Sequence, residues 1–241
     1  MARSRGEQMQ GKLLPGYAHL GLDKLFHRFP DLSIRPSNSL DLAIAGTIEF
    51  QTEHRDCGTI LESFHLEIRV PQKFPRVLPR VFEPKGRIPN TFHHNGNREL
   101  CLGSLLRLQL IVQHDPTLLG FLEGCVIPYL INFAVSERTG KLPLGELEHG
   151  ARGLLDDYRS ILRANSDQCC LGLLELLTLK KRIANKKPCP CGGGKRLGRC
   201  HHKHLNKVRR RAPRSQFGVV LADLRRNLAA EARSRPRANT P

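Results

Sequence analysis

The 241-residue chain contains no apolar run of the ~18 residues that a membrane span needs. Its opening stretch, MARSRGEQMQGK, has no apolar h-region, so no secretory leader is expected. The two absences together predict a cytoplasmic protein with no membrane partner. In that compartment the 8 cysteines read as metal ligands, a nucleophile or core thiols before they read as disulfides. There is no Trp, and only 3 Tyr. Acid is nearly missing from the last quarter. Residues 180–241 hold 19 Lys and Arg against 2 Asp and Glu, whereas residues 1–179 hold 20 of each, so the net charge of +17 belongs to the C-terminal part alone. A neutral body with a basic tail is expected, and such a tail suits nucleic acid, a ribosome or an acidic protein face. Phe217 is the only aromatic residue in the tail, which argues against base reading by stacking and leaves nonspecific contact with phosphates.

At 39% hydrophobic, the chain can bury a core. Residues 17–29 carry apolar side chains at helical spacing and stop at Pro30. Residues 40–50 and 59–70 alternate, which predicts two strands joined through QTEHRDCG, with an irregularity at Gly46. Val81-Phe82 forms a short third strand among Pro71, Pro75, Pro79, Pro84 and Pro89. Residues 90–104 read as a polar surface loop that ends in the extended triplet Leu100-Cys101-Leu102. Helical patterns follow at 117–133 after Asp115-Pro116, at 146–163 and at 166–184. A short helix is expected at 217–230. The fold class is therefore α+β.

Two segments carry chemistry. The first, residues 188–204, has Cys189-x-Cys191, then Cys200-His201 after eight further residues, with Gly192, Gly193 and Gly194 between them. Three thiols and an imidazole suit structural Zn2+, and a segment this short needs a metal to hold its fold. His202 is an alternative fourth ligand to His201. The segment resembles the SEC-C motif, a small zinc-binding module, and the resemblance implies Cys189, Cys191, Cys200 and His201 as ligands.

The second segment is the loop before Cys101. The other cysteines outside the zinc segment have blander readings, Cys57 in a turn and Cys125, Cys169 and Cys170 in apolar helices. Cys101 follows Asn90, His93, His94, Asn95 and Asn97, which offer bases and oxyanion donors near a nucleophilic thiol. The order of elements, with Phe74-Pro75, Pro79, Val81 and the Leu100-Cys101-Leu102 triplet, resembles the ubiquitin-conjugating (UBC) fold over about residues 17–163. The late sequence Gly140-Lys141-Leu142-Pro143, Glu146, His149-Gly150, Gly153 and Tyr158 resembles the prokaryotic branch of that family, some of whose members belong to CBASS anti-phage operons. The resemblance implies a conjugating domain at 1–165, a connecting helix at 166–185, a zinc module at 186–204 and a basic tail at 205–241. It also implies thioester formation at Cys101 with the C-terminus of a cGAS-like nucleotidyltransferase partner, then transfer to an amine, with His93, His94 and Asn95 as supporting groups. The His-Pro-Asn tripeptide and the Trp after the cysteine, both common in eukaryotic members, are missing here, and no activating domain is present. Two other readings stand beside this one. The first is a non-catalytic UBC-like adaptor. The second is a zinc protein that binds nucleic acid or the ribosome through its basic tail.

Overall fold

The computed structural model describes residues 15–94, 97–141 and 151–234. The architecture is α+β, with a four-stranded antiparallel sheet. Contacts divide the chain into two compact units, Met1–Leu102 with Ile111–Pro143, and Gly103–Leu110 with Leu144–Pro241.

In the first unit a 3-10 turn at Pro15–Leu20 precedes helix α1 (Leu22–Arg28). The single helix expected over 17–29 is broken at Gly21, which adopts a left-handed φ of 64°. The sheet follows, with β1 (Ser33–Arg35), β2 (Leu42–His54), β3 (Gly58–Val70) and β4 (Arg80–Phe82) in the spatial order β1-β2-β3-β4. β2 and β3 pair over their full length, from Leu42 opposite Val70 to His54 opposite Gly58. The expected loop at 51–58 therefore shrinks to three residues, because Gly58 turns the chain at φ 66°. Alternate residues, including Ile44, Ile48, Phe64, Leu66 and Ile68, are sealed on one face, as the period-two pattern requires. Gly46 does not break the strand. A Cβ there would lie 2.0 Å from the Asp31 carbonyl oxygen, so the glycine permits close backbone approach.

Helix α2 (Leu105–Val112) follows the Cys101 loop. The next helical stretch, Leu118–Thr139, is assembled from α3 (Leu118–Phe121), a π turn (Leu122–Val126) and α4 (Ile127–Thr139). The π turn ends two residues before Pro128, whose missing N–H and ring bulk disrupt regular α bonding. Thr117 caps α3, its Oγ1 accepting from the Gly120 amide at 3.1 Å, and Asp115 supports Thr117. The cap is thus two residues later than Asp115. Contrary to the expectation of no span-length apolar run, this stretch is long and apolar enough to cross a membrane, yet Phe121, Leu122, Val126, Leu130 and Ala134 are fully enclosed by protein. That burial is the pattern of a core helix. Phe133 of α4 packs edge-on to Phe64 of β3, with ring centroids 6.0 Å apart.

In the second unit, helices α5 (Ala151–Leu162), α6 (Asp167–Thr178), α7 (Lys181–Ala184), α8 (His202–Arg209) and α9 (Arg214–Ser234) share one core. Ser166 caps α6 through a bond from the Cys169 amide. Buried Asp157 on α5 accepts from the Ser104 hydroxyl and the Arg107 guanidinium, so a buried carboxylate has its partners. This division differs from the expected boundary at 165, since α5 packs against α6 and α9. Residues 205–234 are not a solvated tail either. Leu205, Val208, Phe217, Val220 and Leu224 are all in the core.

Candidate functional site

The Cys/His segment is built on backbone bonds before any metal is considered. The Cys189 amide donates to the Lys195 carbonyl at 2.8 Å, and the Leu197 amide donates to the Lys187 carbonyl at 2.9 Å, closing a small hairpin. Gly192 and Gly194 turn it with left-handed φ values of 79° and 67°. A further glycine matters from outside. Gly172 on α6 leaves room for Pro190, which a Cβ would meet at 2.7 Å. The sequence reading does not single out Gly172, although a lone glycine inside a helical pattern is the available signal.

This scaffold gathers Cys189, Cys191, Cys200 and His201, whose donor atoms all lie within 4.8 Å of one another. The His201 Nδ1 is 3.2 Å from both the Cys189 and Cys200 sulfurs, and the Cys191 and Cys200 sulfurs are 3.5 Å apart. Bonds of ~2.3 Å to sulfur and ~2.0 Å to nitrogen place tetrahedral donors ~3.5–3.8 Å apart, so the set fits Zn2+. His202 is outside the cluster and begins α8. The thiol chemistry points the same way. An N–H bond from Gly193 holds Cys191 below its ordinary value, while the neighbouring Cys191 sulfur, then burial, pushes Cys200 up to about 11. The Cys191 and Cys200 sulfurs, 3.5 Å apart, do not both ionise readily without a cation between them. Four protein donors would leave no position for a reacting water, so a metal bound here would be structural.

The second candidate is Cys101, in the first unit. The Leu100 amide donates to the Val81 carbonyl and the Cys101 amide to the His93 carbonyl, each at 2.8 Å. His94 and Leu100 form an isolated bridge. The return of the loop is thus pinned between β4 and residues 93–94, with Leu100 buried and Cys101 half-buried. His93 takes a left-handed φ of 34°, uncommon for a residue with a side chain. The His94 Nδ1–H donates to the Phe92 carbonyl at 2.6 Å, which leaves Nε2 as the basic atom when the ring is neutral. Asn95 lies outside the described residues, as do Leu142, Pro143, Glu146, His149 and Gly150. Gly153 and Tyr158 are buried in the second unit.

Two residues that the sequence reading does not mark as functional hold this loop. Phe92 packs between Tyr129 and Phe133, at 5.6 and 5.0 Å between centroids. The Tyr129 hydroxyl donates to the carbonyls of Phe92 and His93 at 3.3 and 3.2 Å. Burial, and then the charge of a Cys101 thiolate, raise the Tyr129 hydroxyl above its ordinary range, and the phenol shares the His93 carbonyl with the Cys101 amide. The thiols in helices outside the cluster, Cys125, Cys169 and Cys170, are all buried. Burial pushes Cys125 and Cys170 up to about 12. No protein-family model, curated protein or solved structure matches this chain.

Proposed function

We propose that the chain is a cysteine-dependent acyl transferase of the ubiquitin-conjugating type. Cys101 would take the C-terminal acyl group of a partner protein as a thioester and pass it to an amine. The observation that carries this reading is the setting of Cys101. It is a half-buried cysteine on a pinned loop return that follows a four-stranded antiparallel meander, with its amide and the Tyr129 hydroxyl both bonded to the His93 carbonyl and His94 bridged to its neighbour Leu100. The UBC-like arrangement of the first unit and a cGAS-like nucleotidyltransferase as acyl donor both rest on the resemblance of the loop and helix motifs. The Cys/His module is proposed to bind structural Zn2+.

In the first step the Cys101 thiolate attacks an activated carbonyl. A C–S bond forms, and the activating group leaves with the electron pair of its own bond. In the second step an amine attacks the thioester. A C–N bond forms, the C–S bond breaks, the thiolate is restored and the amine proton passes to a base. His94 Nε2 is the proposed base, and backbone N–H groups of the loop are the proposed oxyanion donors.

The test is adduct formation with a purified partner presented as a C-terminal thioester. Wild type should give a covalent adduct that dithiothreitol cleaves. Cys101→Ser should give one that dithiothreitol spares and alkali cleaves, and Cys101→Ala should give none. A thiol-labile adduct that survives in Cys101→Ala would end the proposal.

A further inference from the structure

Fourteen of the thirty-five residues from 180 to 214 are Lys or Arg, and none is Asp or Glu. All belong to the second unit, and twelve of the fourteen are exposed. Elsewhere in the same unit arginines find acids. Arg107 pairs with Asp157, Arg152 and Arg159 with Asp167, and Arg225 with Glu175. Between 180 and 214, leaving Arg211 aside, no such pair forms among the described residues. Among the described residues, then, these charges are not neutralised by ion pairs.

This charge is also shaped. Lys203 and Lys207 stand one turn apart on α8, ~6 Å along the axis. With Arg163 they line a groove of about 490 Å3 whose floor is Leu110, Ile161 and Val208. The His204 Nε2–H donates to the Ile161 carbonyl at 2.8 Å, so this oxygen near the end of α5 is already engaged by a donor. A second recess, of about 640 Å3, includes Lys180, Lys181 and Arg214 at the start of the 21-residue α9. The amide dipoles of that helix end add to the positive potential. We infer that the groove face of the second unit, with Lys203, Lys207 and Arg163, binds duplex nucleic acid through its phosphate backbone without reading bases.

Three observations select this occupant. A single strand is held largely by stacking on aromatic rings. The one Phe, Tyr or Trp from 180 to 234, Phe217, is fully buried. A bilayer needs an apolar wedge, but the apolar floor includes buried Val208, and exposed Ile183 and Val219 stand singly. A duplex offers a charge every ~1.7 Å of axis, dense enough to meet lysines at ~6 Å steps.

The test uses the zinc-loaded full chain and a labelled duplex of ~20 base pairs, read by fluorescence anisotropy between ~50 and ~200 mM salt. With about six phosphates neutralised, affinity should fall roughly 10³-fold across that range. Lys203→Glu with Lys207→Glu should weaken binding at least ~10-fold and flatten the log–log salt slope by about 2 or more. Zinc content should not change and the melting temperature should not fall. Arg163→Glu, distant in sequence from the Cys/His cluster, should also weaken binding and serves if the double variant loses zinc. Lys73→Glu with Lys85→Glu, in the first unit, changes net charge equally and should leave affinity within about twofold. An equal loss in that control would show dependence on net charge alone and overturn the inference. Tighter binding of a single strand of the same length would overturn it too, as would uptake by phosphatidylserine vesicles at a salt concentration where duplex does not bind.

Discussion

Replacing His201 by Ala tests the metal centre at its most discriminating atom. The His201 Nδ1 lies 3.2 Å from two of the three sulfurs. Its nearest substitutes are badly placed. The His202 Nδ1 is buried with no hydrogen-bond partner among the described residues, and the His204 Nε2 is committed to the Ile161 carbonyl. No side chain can move in without rebuilding the first turn of α8, so the full contribution of one ligand should be lost. Structural zinc sites in small modules bind with about 10–16 kcal/mol, or roughly 3–4 kcal/mol per donor, which is a loss of about 10²–10³ in affinity. Competition against a chromogenic chelator would measure it, with wild type, His201→Ala and His202→Ala side by side. His202→Ala should stay within about threefold of wild type. Amide exchange at Cys189 and Leu197, whose N–H groups close the hairpin, should accelerate in His201→Ala in step with metal loss. His201 is not the fourth ligand if His202→Ala loses more than His201→Ala, or if His201→Ala binds zinc as wild type does.

Four further outcomes follow from particular contacts. Gly46→Ala would drive a Cβ to 2.0 Å from the Asp31 carbonyl oxygen, and backbone cannot yield as a side chain does; denaturant unfolding should show a loss of about 3 kcal/mol. For Glu62, burial pushes the carboxyl up, but hydrogen bonds and charges from Arg87 and Arg138 outweigh it and hold the group below its ordinary 4.5. A depressed carboxylate stabilises above the unfolded value and loses that effect as pH falls through the folded one, so Glu62→Gln should cost about 1–3 kcal/mol at pH 7 and nothing in strong acid. Melting curves from pH 7 down to ~2 decide this, and a gap that widens in acid would contradict it. Phe92→Ala should release the loop from Tyr129 and Phe133, costing about 3 kcal/mol and speeding amide exchange at Cys101 at least ~10-fold. Iodoacetamide at pH 8 should label Cys57 and Cys101 in the zinc-loaded chain and spare Cys125 and Cys170, whose thiols at about 12 are only ~10⁻⁴ ionised there; mass mapping that finds Cys101 unmodified would remove the nucleophile.

What could be read in the sequence was whatever obeys a short period or a fixed spacing. Ile44, Ile48, Phe64, Leu66 and Ile68 alternate, and the strands that carry them form where expected. The Cys-x-Cys and Cys-His spacing names four donors that do converge. Long-range placement left no such mark. Tyr129 stands on an apolar helical face, and nothing local says that its hydroxyl reaches the carbonyls of Phe92 and His93, some 36 residues earlier. Asp157 looks like a solvent-facing member of an amphipathic helix until Arg107 and Ser104, some fifty residues away, are seen to hold it. The apolar stripe of α5 predicts burial but not which core receives it, and that choice moves the boundary between the units from 165 to 143. β1, at three residues, is too short for any period to register.

The C-terminal segment sets two sequence signals against each other. Its charge run reads as a solvated tail, yet Leu205, Val208, Phe217, Val220 and Leu224 recur at helical intervals within it. Magnitudes decide between them. Burying each apolar side chain is worth about 1.5–3 kcal/mol, whereas repulsion between exposed like charges on a helix costs only a few tenths of a kcal/mol per pair, about 0.2–0.5, and salt screens it. Five buried anchors therefore outweigh the repulsion of the Lys and Arg around them, and the segment folds with its charges turned outward. That residual repulsion is carried by the folded state alone at close spacing. A polyanion that neutralised the face would relieve it, so duplex binding, if it occurs as inferred, should raise the melting temperature of the second unit, and by less at high salt than at low.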